Sequence, residues 1–283
     1  MVGGLLRGSA VRVLGDRDLP EVWELIEADP VTNVFIASRI EQVGLEPRRL
    51  GCEVWGYEEE GSLAAICYAG ANLVPTSGTT RAAQAFATRA RRWGKRCSSI
   101  VGPSDIVAPM WRALEDHWGP ARALRMRQPL LALTGPSAVE PDPGVRRVHI
   151  EELDLLMPAS VAMFTEEVGV SPLAADGGTL YRARIAELIT EGRAYARIED
   201  GEVLFKAEVG AAWRTACQVQ GVWVAPHLRG RGLSAPAMAA VSTLARRESS
   251  VVSLYVNEFN EPARRAYARV GFTEVGQLSS ILF

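Results

Sequence analysis

The segment from Gln218 to Arg247 sets the tightest limit on what this chain can fold into. Gln218 to Val224 is rich in residues that favour extended backbone and reads as a strand. Pro226 stops it, and Leu228-Arg-Gly-Arg-Gly-Leu-Ser234 opens an Ala-rich helical pattern from Ala235 to Arg247. A strand that turns through two glycines into a helix aims several consecutive backbone N–H groups at one spot. The first helical turn has unpaired donors and a partial positive charge, so that spot favours a phosphate, and the glycines let a ligand approach the backbone. Arg229 and Arg231 add positive charge, and Pro236 fits a first turn that has no N–H bond to lose.

The next segment narrows the reading. Val251 to Val256 is a short apolar run of strand type, followed by Asn257-Glu-Phe-Asn-Glu-Pro-Ala263. Pro262 suits a helix start, Ala263, Ala266, Tyr267 and Val270 fall on one face, and Gly271 suits the stop. In this order, residues 194 to 283 resemble the GCN5-related N-acetyltransferases. The resemblance implies an α/β (α+β) fold, a mixed and mostly antiparallel sheet flanked by helices. It also implies transfer of an acetyl group from acetyl-CoA, as cosubstrate, to an amine. By the same resemblance, His227, Leu228, Arg229, Gly230, Arg231, Gly232, Leu233 and Ser234 form the pyrophosphate turn, and Val222, Trp223 and Val224 hydrogen-bond the pantetheine arm. Asn257, Asn260 and Ala263 then contact the cofactor towards its thiol end, and Tyr267 protonates the departing thiolate. His227 stands where the family usually has Gln or Arg, which weakens one side-chain contact and leaves the backbone cradle intact.

Acyl transfer to an amine needs an N–H donor for the developing oxyanion, which the backbone near Val222 to Val224 supplies. It also needs a base or a desolvating pocket, because an exposed ammonium loses its proton only near pH ~10. The family often carries a glutamate on the strand before the turn; this chain has Gln218 and Gln220 there, candidates for acceptor contact or a water relay. Glu208, on the neighbouring strand, is the candidate base, and since side chains alternate it shares a face with Lys206 and would also suit an ordinary salt bridge. Glu166 and Glu167 fall in the helical region that covers the acceptor pocket in the family, as substrate contacts or as solvated surface carboxylates. The plain alternative for Tyr267 is a core aromatic. Two other readings stay open: a sensor that binds acyl-CoA without turnover, and a mycothiol-synthase-like acyltransferase. The missing strand glutamate favours the sensor, whereas Asn260 and Tyr267 favour catalysis.

Upstream, the same order of elements runs once before, and Thr134 to Gly144, with three prolines and two glycines, reads as a linker. We therefore read the 283 residues as two tandem GNAT-like domains, 1–140 and 141–283, an internal duplication. In the first half Asp18 reads as the cap of a helix from Leu19, and Glu53 to Glu58 with Leu63 to Ala69 as a hairpin; in the second, Arg147 to Ile150 reads as a strand. The first half has Pro75-Thr-Ser-Gly78-Thr at the position of the glycine turn, and Glu115 where Tyr267 stands, so it reads as a degenerate domain without cofactor binding, a packing partner and one wall of the acceptor pocket. This resembles actinobacterial proteins in which a degenerate acetyltransferase-like domain precedes an intact one.

A net charge of −2 argues against nucleic acid as a partner. Without a run of about 18 apolar residues, or a leader pattern in the Gly-rich, frayed start at Met1 to Ala10, the chain reads as cytoplasmic with no membrane partner. Cys52, Cys67, Cys97 and Cys217 lack CxxC spacing and read as buried free thiols; His117 and His149 stand alone, so no metal is expected. The acceptor is expected to be a small-molecule or peptide amine; oligomeric state is left open.

Overall fold

A computed structural model describes residues 11–174 and 176–283, so the reading of Met1 to Ala10 lies outside the described residues. The chain divides into two compact units, one of residues up to Leu130 together with Gly276–Phe283, the other Leu131–Val275. The division thus falls ahead of the proline-rich linker rather than at 140, and the last eight residues join the first unit.

In the first unit the order is β1 (Val11–Val13), α1 (Leu19–Ala28), α2 (Val34–Val43), the short α3 (Pro47–Leu50), β2 (Glu53–Glu59), β3 (Ser62–Ala69), β4 (Asn72–Pro75), α4 (Thr80–Trp93), β5 (Ser99–Pro103), α5 (Ser104–Trp118) and the start of β6 (Ala123–Leu133). Strands β1 to β4 pair antiparallel in sequence, and β4 runs parallel to β5 through Asn72↔Ser99 and Leu73↔Ile100. Alternate residues Trp55, Tyr57, Ala65 and Cys67 bury one face of this sheet against Phe86 of α4 and Met110 of α5. Asp18 stands at the N-cap position of α1, as expected, but its side chain does not bond the helix amides. Its carboxylate instead takes both terminal guanidinium nitrogens of Arg12 at 2.9 Å and the N–H of Gly15 at 2.8 Å, and no side-chain cap bond forms. A bidentate arginine is a stronger partner than a single amide, so the ion pair wins.

The second unit continues with β7 (Val145–Arg147), α6 (Leu153–Val168), α7 (Thr179–Thr190), β8 (Ala194–Glu199), β9 (Glu202–Trp213), β10 (Ala216–Val224), α8 (Ser234–Ala245), β11 (Val251–Tyr255) and α9 (Glu261–Val270). The first strand is displaced from the predicted Arg147 to Ile150, since Ile150 already starts a 3-10 turn. β12 (Thr273–Leu282) starts in this unit and ends in the first. The sheet order β7-β8-β9-β10-β11 is antiparallel up to β10 and parallel at β10/β11. Phe205, Ala207 and Val209 pack with the small residues of α8 and with Ala266, Tyr267 and Val270 of α9, and Leu131 and Leu133 join this core. On the opposite face α6 and α7 close over Ala194 and Ala196.

Two irregularities shape the end of this sheet. Gln220 pairs with Glu208 but Trp223 with Lys206, so β10 spends three steps where β9 spends two. The surplus residue is a β-bulge at Gly221, whose φ of +61° a side chain would strain. Secondly, β10 and β11 stay paired only through Ala216↔Val251, Cys217↔Val252 and Gln218↔Ser253, while β10 runs on to Val224. Beyond those three pairs the strands part.

All four cysteines are free, with Cys67, Cys97 and Cys217 buried and Cys52 half-buried. Among the described residues, no helix is long and apolar enough to cross a membrane, and no group of three or more His, Cys, Asp or Glu side chains could hold a metal ion.

Candidate active site

Where β10 and β11 part, a cavity of ≈ 530 Å³ opens, walled by Val222, Trp223 and Val224 of β10 and by Tyr267 of α9. Its far end is the turn Leu228–Ser234, in which Gly230 (φ +76°) and Gly232 (φ +81°) are both left-handed. Open space lies around the position a Cβ would take at either glycine, so conformation, not crowding, demands glycine there. Turn hydrogen bonds use the amides of Leu228, Arg229 and Arg231, with Ala225, Pro226 and Leu228 as acceptors. Among the described residues, no backbone acceptor pairs with the amides of Gly230, Gly232, Leu233 or Ser234, which open α8. That leaves consecutive donors at a helix N-terminus, a nest suited to an anion.

Tyr267 is 6% exposed and packs edge-on against Phe272, ring centroids 6.0 Å apart. Burial pushes its phenol up from the ordinary value, and the Glu167 carboxylate pushes it further, so the hydroxyl keeps its proton at neutral pH. Asn260 caps α9: its Oδ1 accepts the N–H of Ala263 at 3.3 Å, which leaves the Nδ2 amide to meet a ligand. Ala263 and Asn260 both line the cavity.

Behind the β10 bulge lies a buried polar group. Lys206 (1% exposed) donates to Glu208 (5% exposed) at 2.9 Å, and Gln220 Nε2 donates to the other carboxylate oxygen at 3.0 Å. A Cβ on Gly221 would stand 3.0 Å from the Glu208 carboxyl carbon and 3.1 Å from Met163 Cε, so the bulge glycine also makes room for the carboxylate. Burial pushes the Tyr181 phenol up, with Glu208 and then Glu167 adding to it, and its hydroxyl donates to the carbonyl of Ser160 at 2.9 Å.

The sequence-predicted residues divide as follows. Glu166 and all the turn and strand candidates except His227 and Arg231 line the cavity. His227 turns to Glu202, 3.6 Å away, and Arg231 is exposed. Asn257, Glu167, Gln218 and Gln220 do not line the cavity, nor does Glu208. Arg229 pairs with Glu166 at 2.8 Å. Sequence reasoning passed over Arg265, a lining residue of α9 paired with Glu261 at 3.0 Å, and Gly221. For Gly221 a signal existed, since a lone glycine inside a strand pattern marks a bulge.

Residues 163–272 match the family described as the acetyltransferase (GNAT) family. This part of the chain is a GNAT domain. It lies wholly within the second unit. Residues 52–156 match a family described only as a domain of unknown function (DUF4081). No curated protein matches the chain. Among solved structures, a Drosophila protein aligns with a TM-score of 0.64 at 13% identity, over 98% of this chain and 99% of its own. A GCN5-related N-acetyltransferase from Sphaerobacter thermophilus aligns at 0.56 and 19% identity, over 98% of this chain and 96% of its own. A GNAT-family acetyltransferase from Colwellia psychrerythraea also scores 0.56, at 14% identity, over 96% of this chain and 99% of its own. At such identities the likeness is one of fold, and it extends over both GNAT-like units. A GNAT domain places the chain among acyltransferases in general terms.

Proposed function

We propose that the GNAT domain transfers an acetyl group from acetyl-CoA to an amine. The observation that carries this reading is the parting of β10 and β11 over a cavity with unpaired turn amides at one end and a buried phenol along its wall. The amides of Gly230, Gly232, Leu233 and Ser234 hold the diphosphate, and the free edge of Val222 to Val224 takes the pantetheine amides. Acetyl-CoA supplies an activated thioester. The amine nitrogen sheds its proton to solvent as its bond to the carbonyl carbon forms, since Glu208, the candidate base, is buried outside the cavity with its oxygens held by Lys206 and Gln220. A backbone N–H of the bulged strand steadies the oxyanion, and Tyr267 gives its proton to the sulfur as the C–S bond breaks. The acceptor is a small-molecule or peptide amine.

The test is direct. The protein is mixed with acetyl-CoA and a panel of amines, and free thiol is followed; release that depends on the amine supports the reading. Gly230→Val should weaken CoA binding at least about tenfold, because a β-branched residue at positive φ dismantles the turn. Binding of acetyl-CoA with no thiol from any amine would favour a sensor instead.

A further inference from the structure

Arg229 belongs to the turn proposed to hold the diphosphate, yet its guanidinium is committed to other groups. Its Nε donates to the carbonyl of Val224 at 3.0 Å, and its Nη2 donates to both carboxylate oxygens of Glu166, at 2.8 and 3.1 Å. Trp223 Nε1 donates to the same carboxylate at 3.4 Å. Glu166 lies near the C-terminal end of α6, the helix that faces β9 and β10, so the ion pair runs across the cavity from that helix to the turn. Both partners are about half exposed, 46% for Arg229 and 48% for Glu166.

We infer that Glu166 competes with the cofactor's diphosphate for Arg229, so that the guanidinium holds one anion or the other and cofactor binding releases α6 from the turn. The inference rests on the proposed cofactor reading. An exposed single-carboxylate pair is weak, whereas a diphosphate carries more charge and matches the planar fork of arginine. Exchange therefore runs towards the phosphate, and the carboxylate lowers cofactor affinity by a small factor. The released end of α6 carries both Glu166 and Glu167, and Glu167 already acts electrostatically on Tyr267 and Tyr181. Because such coupling is reciprocal, whatever holds α6 in place also changes the affinity for the cofactor.

Calorimetric titration with CoA, and with pantetheine as a probe lacking the diphosphate, tests this on the full chain and on Glu166→Gln, Arg229→Met and the double variant. Glu166→Gln should bind CoA about two- to fivefold tighter, the range expected when an exposed ion pair no longer competes. Arg229→Met should bind it several-fold more weakly, and adding Glu166→Gln to that variant should bring no gain. Pantetheine should bind wild type and Glu166→Gln alike. An equal gain in the Arg229→Met background would reveal a general charge effect and overturn the competition, as would no gain at all. If wild type fails to bind CoA, the cofactor reading falls too; if it binds and the pattern is missing, this inference falls alone.

Discussion

Tyr267 owes its proposed role to where its helix places it. Its ring is part of the core with Ala266 and Val270, and it also lines the cavity, so one side chain serves both packing and the site. Burial raises the phenol, and the sign follows: the protonated form is the one the fold favours. That preference is fully present below the ordinary phenol value of about 10 and is lost only as pH climbs through the raised value. A donor of this kind stays charged with its proton across the whole range in which an amine acceptor becomes neutral. Tyr267→Phe should therefore lower kcat about 100-fold or more, with CoA affinity little changed, and the wild-type rate should hold up to about pH 10. A Phe variant with undiminished kcat would remove Tyr267 from the chemistry and leave it a core aromatic.

At the scale of the element, the middle of β9 combines two demands. Its odd-numbered residues, Phe205, Ala207 and Val209, build the core, while Lys206 and Glu208 point to the opposite face and are buried there. Burying a lysine and a carboxylate together is costly in solvation and nearly compensated by their pairing; removing one partner strands the other. Lys206→Met should destabilise the second unit by about 3–5 kcal/mol, and Lys206→Met with Glu208→Leu by much less, both read as urea midpoints. Equal loss in the two variants would mean that packing, not charge, sets the cost. Period-two alternation placed this pair on one face from the sequence alone, because alternation is a property of the strand itself. The glycine turn was legible for a similar reason: Gly230 and Gly232 sit at positive φ, which few other residues tolerate, so the local chain announces itself. Asp18 holds the cap position without a cap bond because the guanidinium that claims its carboxylate comes from β1, a partner outside any local capping pattern. His227 likewise lies in the expected turn, but the carboxylate it meets, Glu202, is on β9, and no motif could have shown that.

For the whole molecule, the placement of the last strand was the least legible feature. Thr273 to Leu282 shows no period-two alternation: residues 273–277 are mostly exposed and Leu278 to Ile281 are buried in a row, so the pattern does not specify which neighbour the strand takes. Its outer half pairs antiparallel with β5, from Leu278↔Pro103 to Leu282↔Ser99, and so completes the sheet of the first unit. Side chains bind it there as well. Ser279 donates to the carbonyl of Met126 at 2.7 Å and Ser280 to Gln128 at 2.6 Å. The ring of Phe283 meets Trp111 and Trp118 at centroid distances of 5.7 and 5.4 Å, with Lys95 Nζ 5.4 Å from its centroid. Ending the chain after Val275 would take this strand from the first unit, leave the edge of β5 unpaired and open the pocket around both tryptophans. We expect amides of β5 and α5 to lose hydrogen-exchange protection in that variant while those of β9 and β10 keep theirs, because the core of Phe205, Val209 and Val219 is built within Leu131–Val275. Loss of protection first in β9 and β10 would instead assign the terminal strand to the GNAT domain, as a linear reading of the two halves supposes.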